Sequence, residues 1–432
     1  MRVRSICTRP NSVGREVVWR LVRAAWPAQL KLRWLVAFLL VALAMRPAIS
    51  GVPAVLVLID RDGVLTATTA GVLVALPVLC FALAAPAGAV LARTLSLRWA
   101  LLLCLVAMSV GAGMRVGISS VWLWVGTLVL AVAVAFGNVL MPAVIRATFP
   151  THIGVMTAAY AAAIGLGASL SAGLTVPITH LLGGSWRLGI GVWALLSACA
   201  AAVWAGSRTR APTDPTDVPR LRGTRLLGSA LAWQVTLVMA MQSLQYQSLA
   251  SWLPTIYVDH GLGVVHAGFQ LSLYTLLGVP ASLLMAGVVS WCGRSYVVVL
   301  GVGALNLCGL LGLLLVPMLY PTLWSCILGL SQGAAVSLAL LFNTMRARSV
   351  DSVAQLSAMA QSVGYGIAFV GPLVLGWMRS ASGSWTAPIV FLLVSLVGLV
   401  WSGIMASRER YVDGGEGPLV LPGGATSSAP LH

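Results

Sequence analysis

Residues Trp34–Leu58 read WLVAFLLVALAMRPAISGVPAVLVL. A run of this length and apolarity crosses a bilayer as one helix, for which about 20 residues suffice. At its centre stands Arg46. A charge at mid-bilayer costs roughly 2.5–3.5 kcal/mol on insertion scales, so a chain rarely keeps one without a use. The ten acidic residues (Glu16, Asp60, Asp62, Asp214, Asp217, Asp259, Asp351, Glu409, Asp413 and Glu416) all fall in loops or tails. Asp60 is about 21 Å away along a helix. By these boundaries no other charged side chain is expected at the depth of Arg46. A buried cation with no partner in the chain points to a partner that arrives from outside, hence to a membrane carrier whose ligand is anionic or electron-rich. The competing reading is a structural arginine bonded to a helix carbonyl. Pro47 and Pro53 remove two backbone donors just beyond it and are placed to bend the helix and free carbonyls nearby.

The rest of the composition agrees with a membrane protein. Of 432 residues, 59% are apolar and only 8% charged, with a mean hydropathy of +0.96. Soluble domains carry about 25% charged residues, so most of this exterior must meet lipid. The net charge of +16 sits in short segments between apolar runs, which fits loops against anionic headgroups rather than a nucleic-acid surface. Seven cysteines are scattered without metal-ligand spacing and read as small core residues. Residues 1–33 form a basic segment, and the run after it is too long for a signal-peptide core, so an uncleaved first span is expected.

Twelve spans follow: 34–58, 68–91, 99–114, 118–143, 153–179, 188–206, 229–256, 268–290, 296–316, 321–345, 353–378 and 386–406. The runs are continuous rather than alternating, which excludes a strand barrel. The fold class is an all-α polytopic membrane protein. With the N-terminus inside, 21 basic residues fall on the inner side and four (Arg61, Arg115, Arg187 and Arg379) outside. That bias places both termini in the cytoplasm and the protein in the cytoplasmic membrane. A Pro/Asp/Arg-rich linker, 207–228, separates two six-helix halves, 34–206 and 229–406, leaving a tail at 407–432. Gly165 and Gly167 follow Arg146 as Gly364 and Gly366 follow Arg346, at nearly equal spacing, so the halves read as a parallel duplication.

Span 7 is then the counterpart of span 1. It carries Gln242, Gln245, Tyr246, Gln247 and Trp252. Gln242 lies at the depth of Arg46, with Tyr246 one turn on and on the same face. Their amide and phenol donors would hold a small anion without a second full charge. Interhelical hydrogen bonding is the competing role. Trp252 fits either a cavity wall or an outer aromatic-belt anchor. Asn138, Tyr160, Gln332, Gln361 and Tyr365 are the remaining polar candidates within spans. Arg46, Gln242, Tyr246, Trp252, Asn138 and Tyr365 make the expected substrate site. No metal or cofactor is expected. Neither a phosphate-binding loop nor a nucleophile motif is present, and the five histidines are isolated, so no enzyme is expected. The histidines sit at span ends or in loops and no acid lies within a span, so no mid-membrane proton relay is expected either.

Three stretches carry a family resemblance: Arg46–Leu56 (RPAISGVPAVL), Gly137–Ile178 and Ala232–Leu262. With the twelve-span topology, they resemble the Major Facilitator Superfamily, and within it the cyanate permease and nitroimidazole exporter family. The resemblance implies a secondary transporter working by alternating access on cyanate-like anions or compact nitroheterocycles, with a broad multidrug exporter or a non-transporting membrane sensor as alternatives. A small-molecule substrate, a lipid environment, no nucleic-acid partner and a monomer are expected. The chain departs from the superfamily pattern between spans 2 and 3. The stretch Gly88–Arg98 keeps arginines but lacks the aspartate of the usual loop. In span 5, Gly173 and Pro177 stand apart where an antiporter signature would join Gly to Pro.

Overall fold

The computed structural model describes residues 32–94, 96–149, 151–207, 224–408 and 410–412. The basic N-terminal segment up to residue 31, nearly all of the linker and the tail beyond 412 lie outside the described residues. Among those described, all regular structure is helical.

Ten of the twelve spans are single helices. They are Ala67–Thr94 (span 2), Leu97–Met114 (3), Ser120–Thr148 (4), Ile153–Leu181 (5), Ala230–Asp259 (7), Val264–Cys292 (8), Ser295–Leu315 (9), Pro321–Met345 (10), Val350–Ser382 (11) and Thr386–Ala406 (12). Span 6 is divided at Val192 into Trp186–Gly191 and Trp193–Gly206. Span 1 is divided into Leu32–Ala44 and Pro47–Arg61, and the break falls on Met45 and Arg46. Pro47 opens the second piece, where its missing N–H costs nothing. The Arg46 carbonyl accepts from both Ile49 N (3.0 Å) and Ser50 N (2.9 Å). The prolines beyond Arg46 therefore interrupt the helix at the arginine itself.

Eleven of the spans are long and apolar enough to cross a membrane. The twelfth, span 7, is long enough but too polar. Its position explains this, because 19 of its 30 residues are buried by other helices, Gln242, Gln245 and Ser248 included. A span wrapped by protein need not be apolar all round.

Spans 1–6 and 7–12 meet most extensively through two helix pairs, span 2 with span 11 and span 5 with span 8, with smaller contacts of span 1 on spans 7 and 8. Advancing each number by six turns one pair into the other, as a twofold relation between repeats requires. Within each set the neighbours also correspond. Span 1 packs on 5 as 7 packs on 11, and span 2 on 4 as 8 on 10. A Cβ on Gly167 would lie 2.3 Å from the Leu43 carbonyl oxygen, so only glycine lets span 5 approach the break in span 1 this closely.

A second internal match is visible at one end of the bundle. Gly184-Ser185-Trp186 and Gly383-Ser384-Trp385 lie 199 residues apart, the same offset as the glycine pairs of spans 5 and 11. Both glycines have positive φ (81° and 66°). The Trp186 indole donates to Asp62 Oδ2 at 2.7 Å, and the Trp385 indole to Asp259 Oδ2 at 2.8 Å. Each contact ties the end of the first span of its set to the start of the sixth. In the second set Arg379 adds an ion pair to Asp259 at 3.0 Å.

Candidate functional site

A cavity lies between the middle of the bundle and the end that carries Asp62 and Asp259. Span 1 contributes Arg46, Ser50 and Pro53, span 2 Pro77 and Phe81, and span 4 Thr127 and Leu130. Spans 7 and 8 complete it with Tyr246, Gln247, Ser251, Leu271 and Thr275. The space open to the centre of a water molecule is about 50 Å³, several times the roughly 10–15 Å³ that one water needs. That suits a solute of a few heavy atoms.

Arg46 is half-buried and reaches this space from the break in span 1. Its guanidinium carbon stands 5.5 Å from the centroid of the Phe81 ring, and its Nε is buried with no acceptor. Among the described residues no hydrogen bond or ion pair engages it. The break places the arginine at the cavity, and the Arg46 carbonyl is engaged by the next turn, as in any helix, so it is not an acceptor for the side chain.

The expectation that no second charge lies near Arg46 is corrected. Arg115, assigned from the sequence to an outer loop, follows the last residue of span 3, but its side chain runs into the bundle and is 1% exposed. It lines the same cavity. Its Nη2 donates to the carbonyl of Ala48, two residues after Arg46. The path is opened by Gly126 of span 4, where a Cβ would lie 2.8 Å from Arg115 Cγ. No local signal sets it apart: Arg187, at another helix end, also has apolar flanks, Trp186 and Leu188, and is likewise followed by a long charge-free stretch.

The expected polar residues divide into three groups. Tyr246 lines the cavity, its ring stacked on Tyr274 with centroids 5.8 Å apart, and Gln247 beside it also lines the wall. Gln242 does not share the cavity. It is 2% exposed and its Oε1 accepts from Ser243 Oγ at 3.1 Å. Trp252 is neither cavity wall nor belt anchor. It is 2% exposed, donates from Nε1 to the Pro372 carbonyl at 3.0 Å, and lies beside Trp385. The space it fills is made by Gly376, where a Cβ would meet the Trp252 ring at 2.9 Å.

Asn138 and Tyr365 stand next to the cavity rather than in its wall. Tyr160 donates to Asn138 Oδ1 at 3.1 Å and touches Met45 Sδ at 3.8 Å, so this pair flanks the break. Tyr365 lies 5.8 Å from the Phe81 ring that faces Arg46. Gln245 and Gln332 belong elsewhere. Gln245 Oε1 accepts from Gln332 Nε2 at 3.1 Å and from Asn306 Nδ2, while Gln245 Nε2 donates to Ser395 Oγ at 3.1 Å. This network joins spans 7, 9, 10 and 12. Gln361 takes part in none of these groups.

The cavity wall thus holds two guanidiniums and, among the described residues, no carboxylate. Hydroxyls, a phenol and an amide supply the remaining polar atoms. Such a wall attracts negative charge and offers directional donors to it.

Comparisons with known proteins agree in architecture and family. The model of the Major Facilitator Superfamily matches residues 34–372. The 2-nitroimidazole transporter of Escherichia coli (strain K12) is 30% identical over 375 residues, covering 87% of this chain and 95% of that protein. Cyanate transport protein CynX of the same organism is 29% identical over 385 residues, covering 87% and 98%. Among solved structures, a D-xylose-proton symporter superposes with a TM-score of 0.66 at 14% identity, covering 87% of this chain and 98% of that one.

Proposed function

The chain belongs to the Major Facilitator Superfamily, and on that premise we propose that it moves a small anionic or electron-rich solute across the cytoplasmic membrane. The solute is of the size of cyanate or a compact nitroheterocycle, in line with the relatives named above. Two six-helix halves, joined by the cytoplasmic linker, rock about the cavity between spans 1, 2, 3, 4, 7 and 8. Arg46 provides attraction, and Tyr246 and Gln247 provide directional contacts. The protein functions as a monomer with both termini in the cytoplasm.

The observation that carries this reading is Arg46 itself. A guanidinium in a cavity wall, with no acid or acceptor of the protein engaging it, is worth retaining in a membrane only if a ligand completes it. The small cavity favours a compact solute over the bulky substrates of a multidrug exporter. No acid lines it among the described residues, so any proton moves with the solute or by exchange, not through a carboxylate in the site.

The test is flux of cyanate and of 2-nitroimidazole into proteoliposomes containing the wild type or Arg46→Gln. Hydrogen bonds to a charged group contribute about 1.5–3 kcal/mol, so the substitution is expected to lower apparent affinity roughly 10- to 100-fold. Wild-type flux and affinity in Arg46→Gln would refute the role given to this residue. An imposed pH gradient adds a second readout. Uphill accumulation of a non-titrating solute would refute the absence of a proton relay in the protein.

A further inference from the structure

Arg115 is buried to 1% exposure, yet most of its hydrogen-bonding capacity is unused. A guanidinium has five N–H donors. Nη2 is committed to the Ala48 carbonyl, while Nε and Nη1, with the other three, reach no protein acceptor. If the side chain served only to brace span 3 against span 1, a neutral donor would do so without burying a charge. Thr127 Oγ1 of span 4, next in sequence to the Gly126 that packs on Arg115, is 3% exposed and also has no partner. Arg46 Nε of span 1 is the third such group. Three unpartnered polar groups from three helices line one space. The bond to Ala48 fixes Arg115 against the same helical turn that follows Arg46, so the two cations serve one ligand rather than two.

We propose that Arg115 is a second substrate-binding cation, and that the site takes a compact anion with acceptor atoms at two positions, one for Arg46 and one for Arg115 with Thr127. This rests on the anion reading above and narrows it. A neutral heterocycle of equal size would leave two positive charges in the cavity wall unanswered, whereas a carboxylate, nitrate-like or pseudohalide anion answers both. The planar fork of each guanidinium suits such ligands better than an ammonium does.

The experiment measures binding by purified protein in detergent, with cyanate, nitrate and benzoate as anionic probes and benzamide as the neutral match of benzoate. At least one anion is expected to bind and stabilise the wild type, with benzamide much weaker than benzoate. Arg46→Gln and Arg115→Gln should each weaken the anion at least tenfold, and Thr127→Val about threefold, while Arg115→Lys keeps part of the affinity. If Arg115→Gln and Thr127→Val fold and bind like the wild type while Arg46→Gln does not, Arg115 is only a brace and the anion reading survives without it. If benzamide binds as well as benzoate, or no anion binds, the anion reading falls and takes this proposal with it. Should Arg115→Gln not fold, Thr127→Val and Arg115→Lys decide, and unchanged affinity in both overturns the proposal.

Discussion

Spans 1 and 7 occupy matching places, each packed against the span four places further along the chain, but they treat polarity in opposite ways. Span 1 is apolar except at its break, where Arg46 faces the Phe81 ring and, among the described residues, has no hydrogen-bonding partner. Span 7 is unbroken and polar along its length, and its buried amides are largely engaged: Gln245 by three other helices, Gln242 by Ser243. The first set of spans thus supplies the charges of the cavity, and the second supplies Tyr246, Gln247 and a hydrogen-bonded frame behind them. An unsatisfied group is poised for a ligand and a satisfied one holds helices together, although both look alike as polar residues in an apolar chain.

The sharpest way to break this correspondence lies in two glycines 199 residues apart. Gly167→Ala would drive a Cβ into the Leu43 carbonyl beside the break, whereas a Cβ on Gly366 meets nothing within 4 Å. Gly167→Ala is expected to destabilise the protein by about 1–3 kcal/mol through overpacking. Gly366→Ala should be neutral or stabilising by up to about 1 kcal/mol through helix preference. Reversible denaturation in detergent measures both, and equal effects would show that the two helix pairs pack alike after all.

A smaller effect separates frame from site. Gln245→Leu leaves Asn306 and Gln332 without their shared acceptor, and interhelical hydrogen bonds in membranes are worth about 0.6–2 kcal/mol. Stability should fall by about that much while solute affinity stays within twofold of the wild type. A selective loss of affinity with unchanged stability would move Gln245 from the frame into the site.

The smallest effect concerns the two tryptophans that mirror each other at the Asp62 end. Trp186→Phe and Trp385→Phe each remove one indole hydrogen bond to an aspartate. Both aspartates are exposed, so water replaces the lost donor and each change should cost about 1 kcal/mol, less than a buried bond to a charged group. The Trp385 variant should lose slightly less, because Arg379 continues to hold Asp259. Melting temperatures of the two variants side by side test this ordering, and a larger loss in the Trp385 variant would contradict it.

The twelve spans were legible because lipid demands continuous apolarity, and span 7 was found despite its glutamines because the flanking runs bounded it. Arg46 was legible because a charge in such a run has no ordinary explanation. Arg115 was not, because its backbone sits at a helix end, where arginines are expected. Its inward path depends on room left by Gly126, which is 11 residues away in another helix. Span 7 misled in a different way. Helical spacing groups Gln242 with Tyr246, but it does not say which neighbour each faces, and the structure gives Gln242 to the helix packing and Gln247 to the cavity. Trp252 was misassigned for the same reason, since Gly376, which makes its niche, is more than a hundred residues away. The repeated Gly-Ser-Trp at 184–186 and 383–385 was present in the sequence as plain identity, and only the two aspartates that answer it required coordinates.

The polarity of span 7 has a consequence for how the chain is made. A nascent segment enters the bilayer from the insertion machinery according to its own apolarity, and Ala230–Asp259 is the one span of the twelve that falls short. It is therefore expected to wait at the protein-conducting channel until Val264–Cys292 has been synthesised, and to enter the membrane with that helix as a hairpin. Gln245, which later joins four helices, is one of the residues that lowers the apolarity of the segment. In a chain truncated after residue 262, a cysteine placed mid-segment at Met241 should remain open to a water-soluble thiol reagent, while truncation after residue 292 should protect it.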